Sequence, residues 1–186
     1  IVNCARGATS FVDGTWLDNG VGTTWCRNRT ATAMSGVGGA ANRVIAILWH
    51  QGESDALSGV PAATYATNFQ HFIGTVRSTF AGINSSTPFI VGPMVPAWVG
   101  ADSVRVGINN VIKNVTALAN YTACISDSNL TSLDTIHFDT PSLRIMGARY
   151  YAAYQSLTTP APTVSVSLHK SSLPTFPIRH APRALR

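Results

Sequence analysis

Apolar residues along the chain fall into two patterns: short unbroken runs and longer stripes at helical spacing. The clearest run is VIAILW, residues 44–49. It is rich in β-branched residues, as suits a central parallel strand covered on both faces. After Pro61, Tyr65, Phe69, Phe72, Ile73, Val76 and Phe80 recur every three or four residues. That stripe predicts an amphipathic helix. PFIVGPMV, residues 88–95, predicts a second strand cut short by Pro93 and Pro96. Residues 103–119 predict another helix, with Val104, Ile108, Val111, Ile112, Val115 and Leu118 on one face. YTACI, residues 121–125, is a shorter strand candidate. A last helix opens with Thr140 as N-cap and Pro141 at its first position. Leu143, Met146, Tyr150, Tyr154 and Leu157 then follow at helical spacing. The opening IVNCA reads as one more strand, and residues 13–40 as a long Gly/Thr-rich loop.

This alternation of strands and helices predicts an α/β fold, a three-layer sandwich with a mostly parallel sheet. Ligands in such folds bind beyond the carboxyl ends of the strands. Two polar segments fall there: LWHQGESDA at 48–56 and SLDTIHFDTPS at 132–142. From residue 158 the periodicity stops in a Pro/Ser-rich basic stretch, which reads as a disordered tail behind a domain over residues 1–157.

Charge narrows the function. The formal net charge is +5, but residues 1–157 hold nine Lys/Arg against eight Asp/Glu. The excess lies in the tail, at Lys170, Arg179, Arg183 and Arg186. No basic face with interleaved aromatics appears, which argues against a nucleic-acid partner. No apolar run approaches the ~20 residues that span a bilayer. Cys4, Cys26 and Cys124 show neither CxxC nor Cys/His ligand spacing, so no zinc site is expected. One disulfide plus one free thiol is compatible with three cysteines, as is a fourth cysteine outside the chain. Five N-x-[ST] sequons, at Asn28, Asn84, Asn114, Asn120 and Asn129, lean towards a secreted protein.

Asp134 and His137 form D-x-x-H just before the last helix. An imidazole that takes a proton from a nucleophile needs its other nitrogen held by an acceptor. A carboxylate three residues back can curl round to hold it and stabilise the imidazolium. Asp127 and Asp139 lie near enough to compete, although Asp139 also suits the helix N-terminus. Trp16, Trp25 and Trp98 are candidates for stacking on a sugar ring, or for the core. His71 falls among polar neighbours on a predicted helix and reads as surface.

Taken together, HQGESD at 50–55 and DTIHF at 134–138 resemble the SGNH-hydrolase superfamily. More narrowly they resemble the sialate O-acetylesterase domain and carbohydrate esterase family six. GARY at 147–150 and CARGATS at 4–10 add to the likeness, which covers about residues 1–157. The resemblance implies a carbohydrate O-acetyl esterase with no metal or organic cofactor and an acetylated carbohydrate as partner. His137 would be general base and then general acid, oriented by Asp134. Gln51 would donate to the oxyanion, the Gly7 amide would add a second donor, and Gly52 would support the oxyanion site. Glu53 and Asp55 would brace the loop, and His50 would line the site.

The chain departs from the family pattern at two places. The GQSN motif that carries the nucleophilic serine is absent, so the chain reads as truncated before its first strand. Ala8 stands where the family has glycine. Two rivals follow. Ser54 in GESDA is a degenerate form of the G-x-S-x-G elbow. A carbohydrate-binding pseudoenzyme, or an inactive fragment, is the other.

Overall fold

The computed structural model describes residues 1–159, and everything below concerns these. The expected tail therefore falls outside the described residues, save for Thr158 and Thr159 at the end of the last helix. The elements in order are α1 (Val21–Ser35), β1 (Ile47–Trp49), α2 (Glu53–Leu57), α3 (Ala62–Thr79) and β2 (Phe89–Val91). They continue with α4 (Pro96–Val99), α5 (Ser103–Lys113), β3 (Thr122–Cys124) and α6 (Thr140–Thr158). The three strands form one parallel sheet in the order β1-β2-β3. The fold is mixed α/β.

Strand alternation sets the layers. Ile47 pairs with Phe89 and Trp49 with Val91, so these side chains share one face of the sheet. That face meets α3. The Trp49 ring lies 4.6 Å from Phe72, and Phe89 lies 6.0 Å from Phe69. Phe11 and Trp16 of the N-terminal loop complete an aromatic cluster around Trp49. Each fully buried ring contributes about 2–3 kcal/mol. Leu48, Ile90 and Gly92 point to the other face, where α6 packs against β2 and β3. A Cβ on Gly92 would collide with Tyr150 and approach Met146, both from α6.

Two expected elements differ. IVNCA makes no ladder, and the outer edge of β1 carries no strand among the described residues. A strand forms only where a neighbour accepts its hydrogen bonds. Residues 1–5 have none, and the segment is tied instead by the Cys4–Cys26 disulfide. The expected 13–40 loop contains α1. Its sequence, VGTTWCRNRTATAMS, is rich in poor helix formers and shows no apolar stripe. Local support replaces amphipathicity: the disulfide anchors Cys26, Thr30 is buried and its hydroxyl donates to the Cys26 carbonyl. Gly20 is required at the helix entry, because a Cβ there would strike the Gly14 and Thr15 carbonyls.

Smaller differences concern ends. Asn114 closes α5 by donating its side-chain amide to the Asn110 carbonyl, and a short 3₁₀ turn, Val115–Ala117, follows. Asp139, rather than Thr140, caps α6: its carboxylate accepts the Ser142 N–H at 2.9 Å.

Candidate active site

The carboxyl ends of β1 and β2 meet the segment before α6. A hairpin-like turn, closed by the bridge between Ser132 and Phe138, presents the Asp134–His137 couple. Asp134 Oδ2 lies 2.8 Å from His137 Nδ1, and Oδ1 accepts the His137 backbone N–H at 2.8 Å. Since an ionised carboxylate only accepts, Nδ1 carries a proton, and in the neutral imidazole Nε2 is the acceptor. The hydrogen bonds from the His137 ring and backbone hold the Asp134 carboxyl below its ordinary value. Thr135 links the pair at φ 75°, a left-handed conformation costly for a β-branched residue. His137 keeps 72% of its side chain exposed. Of the rival acids, Asp127 pairs with Lys113 at 2.7 Å and Asp139 caps α6.

Across the rim stands the strand end of β1. His50 Nε2 meets Glu53 Oε1 at 3.2 Å, and the His50 ring packs edge-on against Phe138 at 5.8 Å. Burial works to raise the Glu53 carboxyl. The hydrogen bond and charge of His50, together with the charge of His137, outweigh it and hold Glu53 below its ordinary value. The two polar segments picked out in the sequence therefore lie against each other. Gly92 makes that approach possible, because a Cβ there would come within 2.8 Å of His50 Nδ1. Gly52 sits at φ 149° with no room for a Cβ beside Ile112, so only glycine enters α2 this way.

Gln51 is buried, and its orientation follows from its partners. Tyr65 Oη donates to Gln51 Oε1 at 3.1 Å, while Gln51 Nε2 donates to Asp55 Oδ2 at 2.6 Å. Its second amide hydrogen spans 3.5 Å to the Thr9 carbonyl, beyond a good hydrogen bond. Asp55 is wholly buried and has no cationic partner among the described residues. It is satisfied by Gln51 and by the backbone N–H groups of Phe11 and Val12, at 3.0 and 3.1 Å. Gly7 lies two residues before Thr9 on the same N-terminal loop. Ser54 lies on α2, and its side chain has no histidine partner among the described residues. Trp16 and Trp98 are buried, the latter under the Arg105 guanidinium at 4.3 Å. Trp25 is partly exposed, with Arg29 over its ring.

Sequence reasoning passed over Tyr65, Tyr150, Phe138 and Gly92 as parts of this rim. Tyr150 Oη donates to the Trp49 carbonyl at 3.2 Å, fixing the strand end from the α6 side. The one available signal was Gly92 itself, a glycine between an apolar run and Pro93. Tyr65 and Tyr150 were hidden because each also satisfies a helical stripe, and Phe138 because a single apolar residue before a helix reads as core.

The family model for sialic acid-specific acetylesterases, a group of carbohydrate esterases, matches residues 1–156. The chain belongs to this family. A protein from Arabidopsis thaliana solved by X-ray crystallography superposes with a TM-score of 0.68 at 22% identity. The match covers 82% of this chain and 59% of that one, so the likeness is one of fold. No curated protein matches the chain. Among the described residues, no helix is long and apolar enough to cross a membrane.

Proposed function

We propose that this chain supplies the base and oxyanion side of a secreted carbohydrate O-acetyl esterase. The nucleophilic serine comes from sequence outside these 186 residues. The observation that carries the reading is the 2.8 Å bond between Asp134 and His137 Nδ1, beside the Gln51 segment on one rim. The bare outer edge of β1, with Leu48 59% exposed on the α6 face, suits an added strand.

His137 Nε2 takes the serine proton as Oγ attacks the acetyl carbonyl, while Asp134 stabilises the imidazolium. The Gln51 hydrogen that points weakly at Thr9 turns to the oxyanion, and the Gly7 N–H adds a second donor. Asp55 holds the remaining Gln51 hydrogen and so fixes the amide plane. Collapse returns the proton to the sugar oxygen, and water then releases acetate by the same route.

Acetate release from acetylated glycans, measured with the protein that includes the serine segment, tests this. His137→Ala should abolish turnover. Gln51→Ala should lower kcat about a hundredfold with little change in KM. A Gln51→Ala variant that loses only affinity contradicts its role. The 186-residue chain alone should not turn over p-nitrophenyl acetate. Turnover by that chain, abolished by Ser54→Ala, would transfer the nucleophile to α2.

A further inference from the structure

Away from His137, the outward face of α3 and the loop before α1 enclose an open groove of about 890 Å³. It continues past Asp18, Asn19 and His71 into a second lobe of about 510 Å³. No residue that lines it belongs to the esterase rim.

The walls are polar and held in place by one another. Asp18 Oδ2 meets His71 Nε2 at 2.8 Å, and Asp18 Oδ1 accepts the Thr75 hydroxyl. Arg27 Nη2 donates to the Asp18 carbonyl at 3.0 Å, and Arg27 Nε donates to Thr79 at 3.2 Å. The Asn19 side chain makes no hydrogen bond among the described residues, and it faces the space where both lobes join. The floor is Gly74. A glycine in a helix interior is destabilising. Here neither a positive φ nor packing calls for it, since a Cβ at this position would meet nothing within 4 Å. What Gly74 does provide is depth.

We propose that this groove is a second, non-catalytic binding site for a short neutral oligosaccharide, seated over Gly74 between Asn19 and His71. A carboxylate and a guanidinium held in fixed planes, with the free Asn19 amide beside them, match the alternating donors and acceptors of adjacent sugar hydroxyls. Asp18 offsets the charge of Arg27, which disfavours an anion. No Phe, Tyr or Trp is among the lining residues, so binding rests on hydrogen bonds and is weak. The site stands independently of the esterase reading.

The test is a two-dimensional amide NMR titration of the full chain with xylotriose, cellotriose, chitotriose and inorganic phosphate. At least one trisaccharide should shift the Asn19, Gln70, His71 and Ser78 resonances saturably. Gly74→Gln fills the groove while improving helix propensity, so it should fold and abolish those shifts. Asn19→Ala, an exposed change, should weaken them at least about tenfold. Three results overturn the proposal: no saturable shift with any trisaccharide, shifts that survive Gly74→Gln, or saturation by phosphate alone.

Discussion

Asp55 Oδ2 receives the Gln51 side-chain amide at 2.6 Å, and the same carboxylate closes the N-terminal loop through Phe11 and Val12. One buried acid thus couples the orientation of the candidate oxyanion donor to the placement of the loop that carries Gly7. Asp55→Ala leaves two buried N–H donors, of Phe11 and Gln51, and the part-buried Val12 N–H without an acceptor. Each unsatisfied donor costs about 1–3 kcal/mol, so the variant should lose about 3–5 kcal/mol. Urea denaturation of the two proteins measures it. A loss under about 1 kcal/mol would mean that water replaces the carboxylate.

Glu53 predicts a pH dependence. Its folded carboxyl lies below the ordinary value of 4.5, chiefly because the His50 hydrogen bond overcomes burial. A carboxyl depressed in the folded state stabilises the fold above its unfolded pKa. That contribution fades as pH falls from 4.5 through the folded value. Glu53→Gln should therefore cost about 1 kcal/mol near neutral pH and progressively less in acid. Thermal melts of both proteins across that range give the difference. A gap that widens in acid would reverse the sign of the argument.

Ala8 sits at φ 55°, in the left-handed region. An L-residue there costs about 1–2 kcal/mol, part of which glycine returns through greater freedom of the unfolded chain. Ala8→Gly should therefore stabilise the protein by about 1 kcal/mol. An unchanged or lower denaturation midpoint would show that the loop adopts another conformation in solution. Ala8 is also where the family pattern has glycine, so the backbone angle gives that preference a physical reason.

The parts of the fold that rest on one periodicity were legible in the sequence. The apolar runs at Trp49 and Val91 and the stripes of α3 and α5 each have one structural reading. α1 was not legible, because Cys26, Thr30 and Gly22 hold it through a disulfide, a hydroxyl bond and close contact rather than through a stripe. IVNCA forms no strand because a strand depends on a neighbour that composition does not supply. In the site, HQGE is legible as polar chemistry crowded at a strand end in a chain poor in charge, whereas D-x-x-H is a weak signal alone and is legible only as its pair. Their supports did not: Tyr65, Tyr150 and Phe138 look like ordinary core, and only their hydroxyl and ring contacts distinguish them.

The three cysteines yield a final prediction from one reagent. Cys4 and Cys26 are joined across 22 residues, and Cys124 is a half-buried thiol pushed up to about 12 by burial and by the charge of Asp127. The thiolate is the reactive form, so Cys124 should be about a thousandfold less ionised at pH 8 than a free cysteine. An aromatic disulfide reagent should count almost no thiol in the native protein and one after unfolding. It should count all three cysteines after reduction. In the chain-entropy account, opening a loop of this length costs about 3 kcal/mol, so the reduced protein should unfold at clearly lower urea. Rapid native labelling at Cys124 would place β3 in an edge open to solvent, and an unchanged midpoint on reduction would leave α1 held by its hydroxyl bonds alone.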